Sequence, residues 1–518
     1  MDSIGAFTFY GCSKLMSITI PESVSYIGDR AFEGCTGKVY INCNIKTSSG
    51  PFKNCAFSEA IFGEKVTEID KSLFYICSTL VSVTIGDNVK NIGSNAFRSC
   101  GIKSLTIGES VVNIGSGAFY ECRIQKLNIP NSVKSIGSSA FCGCTSLTSV
   151  TIPNSVTTIG QYAFSGCTSL KELTIPATVS KIEYQAFYRC SSLSSINVEQ
   201  GNKTYDSRDG CNAIIRTSDS YLILGCENTI IPHGVTGIGN YAFYQCFGLA
   251  SITIPGSVEY IGLEAFSGCT QLISVTLGDG VRTVQQSAFI DCLSLTAITF
   301  PDSIMTIGSN AFFGTAWYNN QPDGLVYAGK VAYKYKGAMP QDTSIVLDEG
   351  TLAIASKALL GCSNLTSVII PNSVMRIGEY SFSGCNGLTT ITIGSGVTSI
   401  GQYAFEKCSL LTSVTCLAEK VPGVGSSCFK NVPQSSATLY VPQPSLLAYS
   451  TANKWKDFGT ILPIDTPTAV YNLKSPDGSE ANESILINDL NGRQLQQPKK
   501  GLNIIRTADG RTVKRIIK

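Results

Sequence analysis

Histidine is almost missing from this chain: His233 is the only one in 518 residues. That scarcity closes most routes to a Ser-His or Cys-His nucleophile and to imidazole metal sites. His233 itself sits in IIPHGV, at a turn position expected to face solvent. Charge is sparse as well. Only 15% of residues are charged, and 39 basic against 37 acidic side chains leave a net of +2, too little for the electrostatic footprint of a nucleic-acid binder. No apolar run reaches the ~18 residues that a membrane-spanning helix requires. There is no P-loop, H-E-x-x-H or G-x-S-x-G motif, and nothing that implies a cofactor. No local feature favours a paired-carboxylate glycosidase either, so the chain reads as non-enzymatic. The opening MDSIGAFTFYGC lacks a charged segment followed by an apolar one. Because Ile4-Gly5 already lies inside a repeat, a missing leader says little about compartment.

What the chain has is repetition. A unit of about 23 residues recurs, clearest in CTSLTSVTIPNSVTTIGQYAFSG from Cys144, with the pattern C-x-x-L-x-x-V-x-I-P-x-S-V-x-x-I-G-x-x-A-F-x-x. Copies of its second half begin at Ile27, Ile92, Ile114, Ile136, Ile159, Ile238, Ile261 and Ile400, and looser ones at Ile69, Ile182, Val284, Ile307, Ile354 and Ile377. A period in the twenties is a solenoid period. Alternating Leu, Val and Ile predict a short strand ended by Pro, and stacked coils bury the apolar face that one coil cannot bury alone. The Gly after Ile marks either a positive φ or a close approach between coils.

These units resemble the BspA-like family of bacterial leucine-rich repeats, through their I-P, I-G-x-x-A-F and C-x-x-L elements over residues 1–432. The resemblance implies a curved right-handed α/β-type solenoid, mostly short parallel strands with irregular or short helical convex segments. It also implies a secreted or surface-exposed protein adhering to host proteins, cells or matrix.

Two long steps break the array, Ile182 to Ile238 and Ile307 to Ile354. Their extra residues, near 199–230 and 315–347, read as hairpins: CNAIIR and YLILG around a turn at Thr217–Ser220, and GLVYAG and VAYKYKG around Gly329-Lys330. Trp317, Tyr318, Tyr327, Tyr333 and Tyr335 crowd the second and are candidates for ligand contact. Residues 433–465 leave the pattern as a strand and a short helix near Leu446–Trp455, a cap for the last coil. From 466 to 518 the composition turns basic, nine Lys/Arg against five Asp/Glu. NG and DG turns there predict a small all-β module. Through DLNGRQL, KKGLNIIR and DGRTVKRIIK it resembles the sorting domains of the type IX secretion pathway, which implies the exterior of a bacterial outer membrane.

Of 21 cysteines, fifteen between Cys12 and Cys408 share one repeat position and stack as small buried hydrophobes; Thr315 replaces Cys in one coil. With no C-x-x-C pair, a metal site is not indicated. Cys211 and Cys226 flank the first hairpin and are positioned by sequence for a disulfide in an oxidising compartment. Asp206, Ser207 and Asp209 lack EF-hand spacing.

The remaining candidate is the sheet face. The middle residue of V-x-I points outward, and it is Thr at Thr19, Thr84, Thr106, Thr151, Thr174, Thr253, Thr276, Thr299, Thr392 and Thr415, with Asn128, Asn197 and Ile369 as departures. Threonine suits any exposed strand; the functional alternative is a hydroxyl-lined surface for a protein or glycan. The leading reading is a monomeric adhesion or interaction protein. The alternatives are an accessory of carbohydrate or peptide processing and a structural surface-layer component.

Overall fold

The computed structural model describes residues 2–464 except Ser48 and Ser49, and beyond them only the backbones of five short strands. The chain is a parallel-strand β-solenoid of about 20 turns with very little helix. By contact it divides into two compact units, Met1–Pro301 with Asn310–Asn320, and Asp302–Ser309 with Gln321–Lys518.

Each coil of the first unit contributes to two ladders. The V-x-I segments form the longer one, as in Ser251–Ile254 and Ser274–Leu277, where Thr253 lies opposite Thr276 and Ile254 opposite Leu277. Pro or Gly then turns the chain. A second ladder follows of strands only two residues long, such as Ser135–Ile136, Thr158–Ile159 and Lys181–Ile182, again parallel and in register. Sequence pattern did not show this second ladder, because two residues carry no alternation.

Of the irregular or short helical segments expected on the outside of the coil, the structure has the irregular kind: the A-F-x-x-C stretch makes tight turns. A residue in the left-handed region stands just before the Ala in coil after coil, Tyr162 (φ 55°) and Tyr241 (φ 61°) among them, and that conformation stops a right-handed helix before it starts. Among the described residues the α-helices are Ala316–Asn319 and Leu446–Thr451.

The repeat glycine is explained by close approach. A Cβ on Gly137 would lie 2.7 Å from the carbonyl carbon of Gly115, and one on Gly160 would lie 2.7 Å from the backbone nitrogen of Ser138. Inside the coil the phenylalanines lie face to face. Phe97, Phe119, Phe141, Phe164 and Phe187 are spaced 5.3, 5.4, 5.4 and 5.6 Å between ring centres, and all are buried. Beside them run the cysteines, which do more than fill space. The thiols of Cys122, Cys144, Cys167 and Cys190 donate to the carbonyls of Phe97, Phe119, Phe141 and Phe164 in the coil before, so each buried donor is satisfied. Thr315 does the equivalent differently. Its hydroxyl donates to Phe312 O at 2.7 Å and accepts from the Tyr318 N–H at 3.0 Å, capping the helix Ala316–Asn319.

In the first insert Ala213–Arg216 and Tyr221–Gly225 pair antiparallel, and Tyr205–Asp206 adds a third strand on the far side. The hairpin is also a rung of the solenoid: Tyr221 and Leu222 pair in parallel with Gly237 and Ile238. In the second unit Gly324–Ala328 and Val331–Lys336 repeat the arrangement, with Val331 and Ala332 alongside Ala353 and Ile354.

The segment read as a cap lies in the second unit. Strands Thr438–Val441 and Thr460–Pro463 extend the long ladder past Ser413–Cys416. Tyr449 and Trp455 are buried there; the tyrosine hydroxyl donates to Ala418 O, and the indole N–H donates to Pro422 O. Beyond Ile464, Leu486–Asn488, Gly501–Arg506 and Thr512–Ile517 pair antiparallel. The sorting-type tail as a whole lies outside the described residues.

Candidate functional site

Strand alternation decides which side chains the long ladder shows to solvent. Thr151, Thr174, Thr253, Thr276 and Thr299 are exposed, since their neighbours in each strand, such as Ile252 and Ile254, turn into the core. Thr253, Thr276 and Thr299 stand directly opposite one another across three strands. Asn128 pairs with Thr151, and Thr174 pairs with Asn197, so the departures lie in the same row. Parallel strands stand ~4.8 Å apart, which makes this a close file of hydroxyl and amide groups.

In the second unit the same row runs Val346, Ile369, Thr392, Thr415, Tyr440 and Leu462. Thr392 departs from expectation, being only 8% exposed. The row there is apolar at Val346 and Leu462, both exposed.

The aromatic cluster of the second insert is corrected. Tyr333 is 1% and Tyr318 5% exposed, so neither presents a surface to a ligand. Tyr333 shares a strand face with the buried Val331, and the cap on Thr315 draws Tyr318 inward. Trp317, half-buried, packs on Phe300 and Phe312 at 5.3 and 5.5 Å. Tyr335 is half-buried, and its backbone N–H donates to Ala358 O. The Tyr327 hydroxyl accepts from the Asp348 N–H.

Cys211 and Cys226 are buried free thiols rather than a bridge. Ala213 is opposite Gly225, so the antiparallel register carries Cys226 toward Asn212 instead of Cys211, and its thiol donates to Asn212 O at 3.3 Å. Asp206 is occupied by the Arg208 guanidinium at 2.8 and 2.6 Å. His233 is exposed in its turn. Among the described residues no three His, Cys, Asp or Glu side chains gather as a metal site, and no helix is long and apolar enough to cross a membrane.

One feature escaped sequence reasoning. At the first insert the tyrosines of three separate segments converge: Tyr188 lies 4.5 Å from Tyr244 and 5.3 Å from Tyr241 between ring centres, and Tyr162 lies 6.0 Å from Tyr184. Burial pushes the Tyr241 and Tyr221 hydroxyls up to about 12, and it raises Glu264 beside Tyr241. The available signal was the Ile182 coil, where Glu183 and Tyr184 follow Ile in place of the usual Gly.

A family model described as "BspA type Leucine rich repeat region (6 copies)" matches residues 2–123, 112–212, 219–319 and 332–446. No curated protein matches the sequence. Among solved structures the chain is similar to a leucine rich cell surface protein from Faecalibacterium prausnitzii A2-165, at 30% identity over 73% of this chain and 87% of that one, with a TM-score of 0.44. A leucine-rich repeat protein from Bacteroides ovatus ATCC 8483 is similar at 25% identity over 83% and 92%, TM-score 0.45. The pneumococcal vaccine antigen PcpA is similar at 16% identity over 89% and 92%, TM-score 0.39.

Proposed function

The chain belongs to the BspA-type leucine-rich repeat family, and from that premise we propose that it is a non-catalytic adhesion or interaction protein of the cell surface. It acts as a monomer and offers the long-ladder face to a protein or glycan of a host surface or matrix. The observation that carries this reading is the in-register file Thr253, Thr276 and Thr299, exposed side by side on a rigid sheet. A flat row of hydroxyls offers donors and acceptors at a fixed spacing, while each group alone binds weakly; affinity then comes from engaging several coils together. The near-neutral charge supports a partner other than nucleic acid. The resemblance of DLNGRQL, KKGLNIIR and DGRTVKRIIK to type IX sorting segments supports export to the exterior of the outer membrane.

The test is an array of matrix proteins and glycans probed with the full chain and with the combined Thr253→Glu, Thr276→Glu and Thr299→Glu variant. Binding that disappears in the variant, with an unchanged circular-dichroism spectrum, supports the face. Binding that survives all three carboxylates removes the row from the proposal.

A further inference from the structure

The solenoid of the first unit is interrupted between the coil of Ile182 and the coil of Ile238, and the interruption is not filled. A cavity of about 340 Å³ opens there. It is lined by side chains from the coil before the insert, from the insert itself and from the coil after it. Phe187 and Ile214, both buried, and the half-buried Ile223 and Leu224 give it an apolar interior. Tyr184, which is 53% exposed, carries the wall out to the surface.

The polar groups around this cavity are largely engaged with one another. Glu183 is held by the Lys181 ammonium at 2.8 Å and accepts the Gln161 N–H at 3.1 Å. Arg216 forks onto Asp219 at 2.9 and 2.6 Å and lies over the Tyr221 ring. The Tyr205 hydroxyl accepts from the Ile182 N–H at 2.9 Å. Tyr188 is hydrogen-bonded to Tyr244, and Tyr241 to Tyr184. Among the described residues the Tyr221 hydroxyl, the Gln185 amide and the side-chain N–H of Asn240, whose amide oxygen accepts from the Leu263 N–H, are left to serve a ligand.

Each charge on the wall therefore has its own counter-charge, and an occupant must be neutral. A saccharide presents hydroxyls on every edge and loses affinity wherever one is desolvated without a partner; three free polar groups do not meet that demand. An aromatic body with a single polar edge matches the apolar interior, the tyrosine walls and the few free donors and acceptors. The volume is at the low end for ligand pockets, suited to one large side chain rather than to a helix or an oligosaccharide.

We propose that this cavity is an anchor pocket for an aromatic side chain of a partner polypeptide. The proposal rests on the binding reading above but not on its threonine row, so the two fail separately. Anchors of this kind, one aromatic group in a desolvated pocket, carry much of the energy of a protein interface.

The experiment is saturation-transfer NMR on the full chain with N-acetyl-tryptophanamide as probe, and with glucose and N-acetylglucosamine as competing chemistries. Transfer to the indole protons is expected, with little to either sugar. Ile223→Trp, which fills the cavity, and Tyr184→Ala, which removes an exposed wall, are each expected to weaken the probe about tenfold or more. Thermal melts report whether each variant is folded, and Tyr184→Ala, at an exposed position, keeps the test open if Ile223→Trp is not. Absence of transfer to the amide, transfer undiminished in the folded variants, or transfer to the sugars alone would overturn the proposal. Loss of array binding in the threonine variant with this transfer intact would confirm that the two sites are independent.

Discussion

From Phe97 to Phe187 every ring lies flat on the next; at the first insert the pile stops, and what meets Phe243 is Gly225, on which a Cβ would collide with the Phe243 ring. The regular run and the junction use the same coil, yet one is saturated with identical contacts and the other is assembled from unlike parts. Identical coils must satisfy each other completely, since any gap would recur along the array. A junction occurs once, so it can hold a cavity at a local cost. This is the physical reason to look for specificity where the repeat departs from itself.

The largest expected effect falls on the regular side. Phe141→Ala removes a ring packed between two others and should cost about 3–5 kcal/mol, read as a lowered urea midpoint. Tyr184→Ala at the junction should cost far less, because that ring is half in solvent. Equal losses would erase the distinction between the two regions. Next is Gly225→Ala, expected to cost about 1–3 kcal/mol by overpacking against Phe243. The same change at Gly256, where the nearest atom to an added Cβ is 3.8 Å away, should be nearly silent, and a Gly225→Ala melt matching the parent would show that the junction yields freely.

The effect that is smallest near neutral pH, and grows only above it, is spread over the cysteine row. Burial pushes the Cys122, Cys190 and Cys408 thiols up to about 12, against about 8.5 in an unfolded chain. With the folded value raised, the stabilising contribution is complete below the unfolded value and fades as pH climbs toward the folded one. Urea midpoints should therefore hold steady to about pH 8 and decline above it, and a flat profile to pH 11 would contradict the burial of the row. In native protein near neutral pH, a thiol-alkylating reagent should reach the partly exposed Cys12, Cys142 and Cys362 before the rest.

The sequence made the coil legible because Leu, Val, Ile, Phe and Cys each recur at a fixed offset. It also narrowed the repeat glycine to two explanations, and coil-to-coil contact at Gly137 and Gly160 selected one. The strand pairs at Ile136 and Ile159 stayed hidden because two residues cannot show a period. Tyr318 and Tyr333 were misread because composition says nothing about which way a side chain turns; that was decided by the Thr315 cap and by the strand phase set at Val331. The tyrosine-walled cavity was beyond reach, since Tyr184, Tyr205, Tyr221 and Tyr241 belong to four stretches that only the fold brings together.

The rung formed by Tyr221 and Leu222 against Gly237 and Ile238 has a consequence for how such arrays change length. An insertion that merely looped out would leave the next coil to find its own alignment, and a slip of one residue would turn every core side chain to water. Here the inserted chain hands on the alignment itself, as a splice hands on the lay of a rope. Coils beyond it keep their phase whatever the number of residues between Ile182 and Tyr221. New sequence, including new recognition chemistry, can therefore enter at that splice without the rest of the array being rewritten.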